Sequence, residues 1–141
     1  MKSAKKMEMQ STAVEAAKAA GAIMSRNHFA AKKINESTQR DIKLELDVKC
    51  QQKIESMLTQ AHPEVAILGE EGNAGDIETD LRWVVDPIDG TQPFLLGLPT
   101  WCISIAYVAG DRAQIGVIYN PATDELYCAQ AGAGAFVNGV P

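Results

Sequence analysis

No apolar run in this sequence approaches the roughly 18 residues that a membrane-spanning helix needs. The longest runs, 81–85 and 101–108, have the length of strands. No N-terminal segment has the hydrophobic region of a secretory leader. Basic residues are also too few to line a polyanion: Lys and Arg number 13 against 18 Asp and Glu, a net charge of −5. That argues against nucleic acid as a partner, because no cationic stripe is left to neutralise phosphates. The one basic cluster, Lys2, Lys5 and Lys6, reads as a solvated terminus. Cysteine is scarce. Cys50, Cys102 and Cys128 lack metal-ligand spacing, and an odd count without a leader predicts reduced thiols in a cytoplasmic protein. His28 and His62 have no partner at ligand spacing and read as surface or boundary residues. No Ser/His/Asp or Cys/His set, internal repeat or low-complexity stretch is present.

What is there suffices for one domain, since 141 residues can bury a usable core. Residues 7–29 predict a helix. Val14, Ala17, Gly21 and Met24 recur at spacings of three and four, giving a face of mostly small residues, with solvent-reaching Lys18 beside it. Thr12 with Glu15 fits a capping box, an alternative start. Residues 32–40 are polar and aperiodic, a loop or weak hairpin. Asp41-Ile42-Lys43-Leu44-Glu45-Leu46 alternates and predicts a brief extended segment. A second helix then runs from Asp47 to about Ala61. Asp47 would sit near its N-terminus, where a carboxylate caps free N–H groups. Strands are expected at 65–69, 81–85, 100–109, 113–119, 125–130 and 135–137, with a loop over 72–80. The strand at 100–109 is apolar on both alternating faces, which predicts cover on both sides. Short turns between the later strands make an antiparallel meander. The fold class is α+β: two N-terminal helices packed on a mostly antiparallel sheet.

One stretch stands apart: Trp83-Val84-Val85-Asp86-Pro87-Ile88-Asp89-Gly90-Thr91. An apolar strand ends in two carboxylates three residues apart. Like charges repel and desolvation is costly, so a divalent cation is the natural compensation. The preceding strand ends in Glu70-Glu71; if the two strands neighbour one another, their ends can bring Glu70 and Asp86 together. Asp47, Glu70, Asp86 and Asp89 form an oxygen-only donor set suited to Mg²⁺. Pro87 shapes a tight turn that can aim the Ile88 carbonyl at the metal. Gly90-Thr91 would offer backbone N–H groups to a phosphate. The plain alternative is an acidic turn, since an isolated Asp-x-x-Asp is common.

The hexapeptide Asp86-Pro87-Ile88-Asp89-Gly90-Thr91, followed by Phe94, Gly97 and Pro99, resembles the first signature of the inositol monophosphatase family. Gly69-Glu70-Glu71, Leu44-Glu45-Leu46-Asp47, Gly116 to Pro121 and Gly132 to Phe136 are similar to further family elements, in order. The resemblance implies a Mg²⁺-dependent, lithium-sensitive hydrolase of small sugar or inositol phosphates. Glu70, Asp86, the Ile88 carbonyl and Asp89 would hold metal. Asp47, Glu70 and Thr91 would be catalytic, with Asp47 and Thr91 orienting the attacking water. Asp89, Gly90 and Thr91 would meet the substrate. The implied architecture is the N-terminal domain of the layered sugar-phosphatase sandwich, spanning 1–141, in a protein that is a homodimer at full length.

Three departures stand out. Leu44 replaces the family's threonine, Gln92-Pro93 replaces its usual Thr/Val-Asn pair, and the second signature, Trp-Asp-x-Ala-Ala-Gly, is missing. The isolated chain is therefore expected to turn over weakly or not at all. The alternatives are a non-catalytic metal-binding or interaction module and, among enzymes, a histidinol or adenosine 3′,5′-bisphosphate phosphatase.

Overall fold

The computed structural model describes residues 2–28, 36–70, 72–90, 93–94 and 96–141, and their side chains except at 27, 28 and 36–44. Thr91, Gln92 and Glu71 lie outside the described residues, as does the side chain of His28.

Helix α1 spans Ser3–His28. Met9, Ala13, Ala16, Ala17, Ala20 and Met24 are fully buried, at the three-and-four spacing of one helical face. Because most are alanines, the helix axis can approach the sheet closely. The tightest point is Gly21, where a Cβ would lie 2.7 Å from the Tyr119 ring and 2.9 Å from Pro121. The Tyr119 hydroxyl is tied to Asp124 at 2.7 Å, so the ring has little room to move. Gly21→Ala is therefore expected to lose about 1 kcal/mol. Overpacking of about 2 kcal/mol outweighs the gain of about 1 kcal/mol in helix propensity. A lowered urea midpoint with unchanged slope checks this. Thr12 does not start the helix. Its hydroxyl donates back to the Glu8 carbonyl at 3.1 Å, a mid-helix bond.

Helix α2 spans Glu36–Ala61, starting well before the expected Asp47. The alternation over 41–46 does not make an extended segment. Leu46 is instead the first described member of a stripe, Leu46, Cys50, Ile54 and Leu58, each four residues on and each buried. Asp47 consequently lies 11 residues inside the helix rather than at its cap. It is 1% exposed, and neither capping nor the helix dipole accounts for it there. His62, the first residue after α2, is a second correction. It is 0% exposed, with its ring centroid 6.1 Å from that of Trp83 and Nε2 3.5 Å from the Thr12 hydroxyl. The chain turns under α1 at this point, which carries the imidazole inward.

Among the described residues, seven strands form one sheet: β1 (Ala66–Gly69), β2 (Gly72–Ala74), β3 (Leu81–Asp89), β4 (Cys102–Ala109), β5 (Arg112–Asn120), β6 (Glu125–Gln130) and β7 (Gly134–Val137). Their order is β2-β1-β3-β4-β5-β6-β7. Among the described residues only β1 and β3 run parallel; β4 to β7 are the expected meander, and β3 pairs antiparallel with β4 at its edge. β2 is an added edge strand within the expected loop. Both helices lie on one face, α1 over β4 and β5 and α2 over β3. Trp83, Val85, Ile103, Ile105, Tyr107, Ile115 and Val117 fill that layer. The opposite face is not covered among the described residues. Cys102, Ser104, Ala106 and Val108 of β4 are half-exposed there, and Val84, Ile118, Tyr127 and Val137 are exposed. Of the cover expected on both sides of β4, the described residues supply one side. No helix among the described residues is long and apolar enough to cross a membrane.

Candidate metal and phosphate site

The site grows from the parallel pairing of β1 and β3, which brings two strand ends side by side. Gly69 is in register with Val85, and the Glu70 N–H donates to the Val85 carbonyl at 3.3 Å. Glu70 and Asp86 thus follow paired residues, which sets their carboxyl groups side by side. Burial, and then the adjoining Glu70 carboxyl with its charge, push the Asp86 carboxyl from an ordinary 3.8 up to about 7. The Ile88 N–H pulls the other way, donating to Asp86 Oδ1 at 3.1 Å.

The strand does not stop at Val85. It continues to Asp89 through a bulge. Asp86 pairs with Ser104 and Asp89 with Cys102, so three steps along β3 match two along β4. In a regular strand, residues three apart point to opposite faces. The extra residue puts both acids opposite positions of one face, the open one. Pro87 is tolerated because a bulge leaves a residue outside the hydrogen-bonded ladder. Asp89 is exposed. The Cys102 thiol is pushed up to about 11, first by burial and then by the charges of Asp89 and Asp86.

Gly90 follows with φ of +100°. A Cβ there would lie 2.8 Å from the Thr100 carbonyl oxygen, so the turn requires glycine. The Gly90 carbonyl accepts the Phe94 N–H at 3.0 Å. Phe94 is buried and meets Trp101 edge-on, with ring centroids 5.0 Å apart. This aromatic contact anchors Phe94 against the residue that precedes β4. Beside Asp89, a hollow of about 260 Å³ opens on the uncovered face, lined by Gly90, Trp101, Cys102, Asn120 and Tyr127 among others. A larger hollow, about 450 Å³, lies beside Lys5, Glu64, Leu81 and Tyr107. It holds no carboxylate pair, so size alone is a poor guide to the chemistry.

Of the expected donors, Glu70 and Asp86 are joined and Asp89 shares the face of Asp86. Asp47 is buried on α2, one turn before Gln51, whose amide abuts Gly69. Among the described residues, no three His, Cys, Asp or Glu side chains converge closely enough to hold a metal ion. The donors fit a divalent cation as a pair. A carboxyl that keeps its proton to about 7 beside a second carboxyl, as Asp86 does, can exchange that proton for a cation. Gln51 and Cys102 were not recognised as site neighbours in the sequence. The usable signal for Gln51 was a polar residue four after Asp47, on the inward side of the helix.

The family model for the inositol monophosphatase family matches residues 5–141. Inositol monophosphatase of Mesembryanthemum crystallinum is 39% identical over 134 residues, covering 92% of this chain and 50% of that protein. The structure of extragenic suppressor protein suhB from Bartonella henselae superposes with a TM-score of 0.79 at 34% identity, over 92% of this chain and 51% of that one. An inositol monophosphatase from Zymomonas mobilis gives a TM-score of 0.83 at 27% identity, over 99% and 53%. The chain spans about half the length of the relatives it matches.

Proposed function

The chain belongs to the inositol monophosphatase family, and from that premise we propose that it is the N-terminal, metal-binding half of a Mg²⁺-dependent phosphatase of small sugar or inositol phosphates. The observation that carries this reading is the Glu70–Asp86 carboxyl pair at the parallel strand ends. Glu70, Asp86, Asp89 and the Ile88 carbonyl would hold Mg²⁺. Bound there, Mg²⁺ would supply positive charge to the phosphate and make a water more acidic. Asp47, buried on α2, and Thr91 would orient the attacking water, and the Asp47 carboxylate would take up its proton. Gly90 and Thr91 would offer backbone N–H groups to the phosphate oxygens, and Asp89 would bind the alcohol side. The same reading makes the enzyme lithium-sensitive, cytoplasmic and a homodimer at full length.

Phosphate release from a panel of inositol and sugar phosphates tests this function. The 141-residue chain is expected to turn over at least 100-fold more slowly than a relative of twice its length, in keeping with an incomplete active site. Joined to the second half of a close relative, it should regain Mg²⁺-dependent release that Asp89→Asn removes. Full turnover by the chain alone would contradict the half-site account. No release by the joined protein on any substrate would contradict the phosphatase reading.

The uncovered face with Val84, Ile118, Tyr127 and Val137 supports a second reading, an interaction module without catalysis. Size-exclusion chromatography with Mg²⁺ calorimetry separates the two. A dimer without metal heat favours the module, and a monomer that binds Mg²⁺ favours the catalytic half.

A further inference from the structure

Gln51 is 3% exposed on α2, four residues after Asp47. A buried primary amide is costly unless its N–H groups find acceptors. Here both do. Nε2 donates to the Gly72 carbonyl at 2.7 Å and to Glu55 Oε1 at 2.8 Å. The amide also fills the space that a side chain at Gly69 would need.

Gly69 and Gly72 are the last paired residues of the β1–β2 hairpin, and the chain turns at Glu70 directly after Gly69. β2 is only three residues long and, among the described residues, pairs with β1 alone, at the sheet edge. Gln51 seats the entry of the turn by packing on Gly69 and holds its exit through the Gly72 carbonyl.

We infer that Gln51 is a positioning residue for the metal site, its amide tying α2 to the turn that sets the Glu70 carboxylate beside Asp86. This inference rests on the metal-site reading above and adds to it. The same helix face carries Asp47, so one rigid element fixes both the buried acid and the turn. An apolar residue at 51 would pack against Gly69 without restraining the Gly72 carbonyl. Outer-sphere partners of this kind typically change metal affinity by about 10- to 100-fold.

Gln51→Met keeps the side-chain length and removes both donors. Mn²⁺ is the probe, followed by loss of its free electron-paramagnetic-resonance signal on binding to the full chain. Gln51→Met should weaken Mn²⁺ binding by about tenfold. Glu55→Ala, which leaves the Gly72 link in place, should stay within about twofold of the unsubstituted chain, well below that range. Amide exchange should accelerate at Gly69, Glu70 and Gly72 in Gln51→Met, with the α2 amides from Ile54 to Leu58 unchanged. Gln51→Asn, too short to reach Gly72, makes the same test if the methionine variant does not fold. Mn²⁺ affinity unchanged in the variant, or exchange faster along all of α2, would overturn the inference alone. Failure of the unsubstituted chain to bind Mn²⁺ in a manner lost with Asp86→Asn would instead overturn the metal-site reading beneath it.

Discussion

Replacing Gly90 with alanine is expected to destabilise the protein by about 3 kcal/mol, a large share of a typical domain's stability. Two costs add. At φ of +100° an L-residue is strained, by roughly 1–3 kcal/mol. The new methyl group would also meet backbone, the Thr100 carbonyl at 2.8 Å and Trp101 Cα at 3.1 Å. Backbone cannot swing aside like a flexible side chain, so overpacking adds about 1–2 kcal/mol. The Phe94 N–H bond to the Gly90 carbonyl and the Phe94–Trp101 contact should loosen together. Chemical denaturation monitored by tryptophan fluorescence reads both effects. A loss under about 0.5 kcal/mol, the size of an ordinary surface substitution, would show that the turn has another way to close.

Asp86→Asn should separate stability from cation binding. Asp86 has a folded-state pKa of about 7, above its ordinary 3.8. Below pH 3.8 the folded and unfolded chains both hold the proton, so the group contributes nothing to stability. Between 3.8 and 7 the unfolded chain releases the proton first, and stability falls as pH rises. Above 7 the full cost is present. Asparagine removes it. Without divalent cation the variant should therefore be more stable than the parent at pH 8, by about 1 kcal/mol once screening of this partly exposed group is allowed for. The difference should vanish near pH 4. With Mg²⁺ the order reverses, because only the parent gains from binding. Thermal melts at pH 4 and pH 8, with and without Mg²⁺, check this. A variant less stable than the parent at pH 8 without cation would contradict the strained carboxyl pair.

The sheet was legible where turns and alternation agreed, as in β5, which buries Ile115, Val117 and Tyr119 under α1. The acidic ends of β1 and β3 pointed to a shared site, but nothing local in the sequence encodes their parallel sense. The start of α2 was not. Ile42, Leu44 and Leu46 alternate like a strand, and only the continuation through Cys50, Ile54 and Leu58 reveals a helical stripe. That misreading carried Asp47 to a helix cap, although it is buried 11 residues inside the helix. The bulge at Pro87 was hidden for a different reason. Local sequence favours a stop at proline, whereas pairing with β4 carries the strand on to Asp89. Without the bulge, Asp86 and Asp89 would face opposite sides of the sheet, and no spacing rule would have united them. His62 was misplaced because burial depends on how α1 crosses the chain after α2.

The central claim is that the Asp86 carboxyl, set beside Glu70, holds a proton that a divalent cation replaces. A carboxyl-carbon NMR titration of Asp86, with and without millimolar Mg²⁺, tests it most directly. Asp86 should titrate near 7 in the absence of cation. Mg²⁺ should lower that value by a unit or more, with the affinity rising as pH increases. Ordinary carboxylate titration, unmoved by Mg²⁺, would contradict the account.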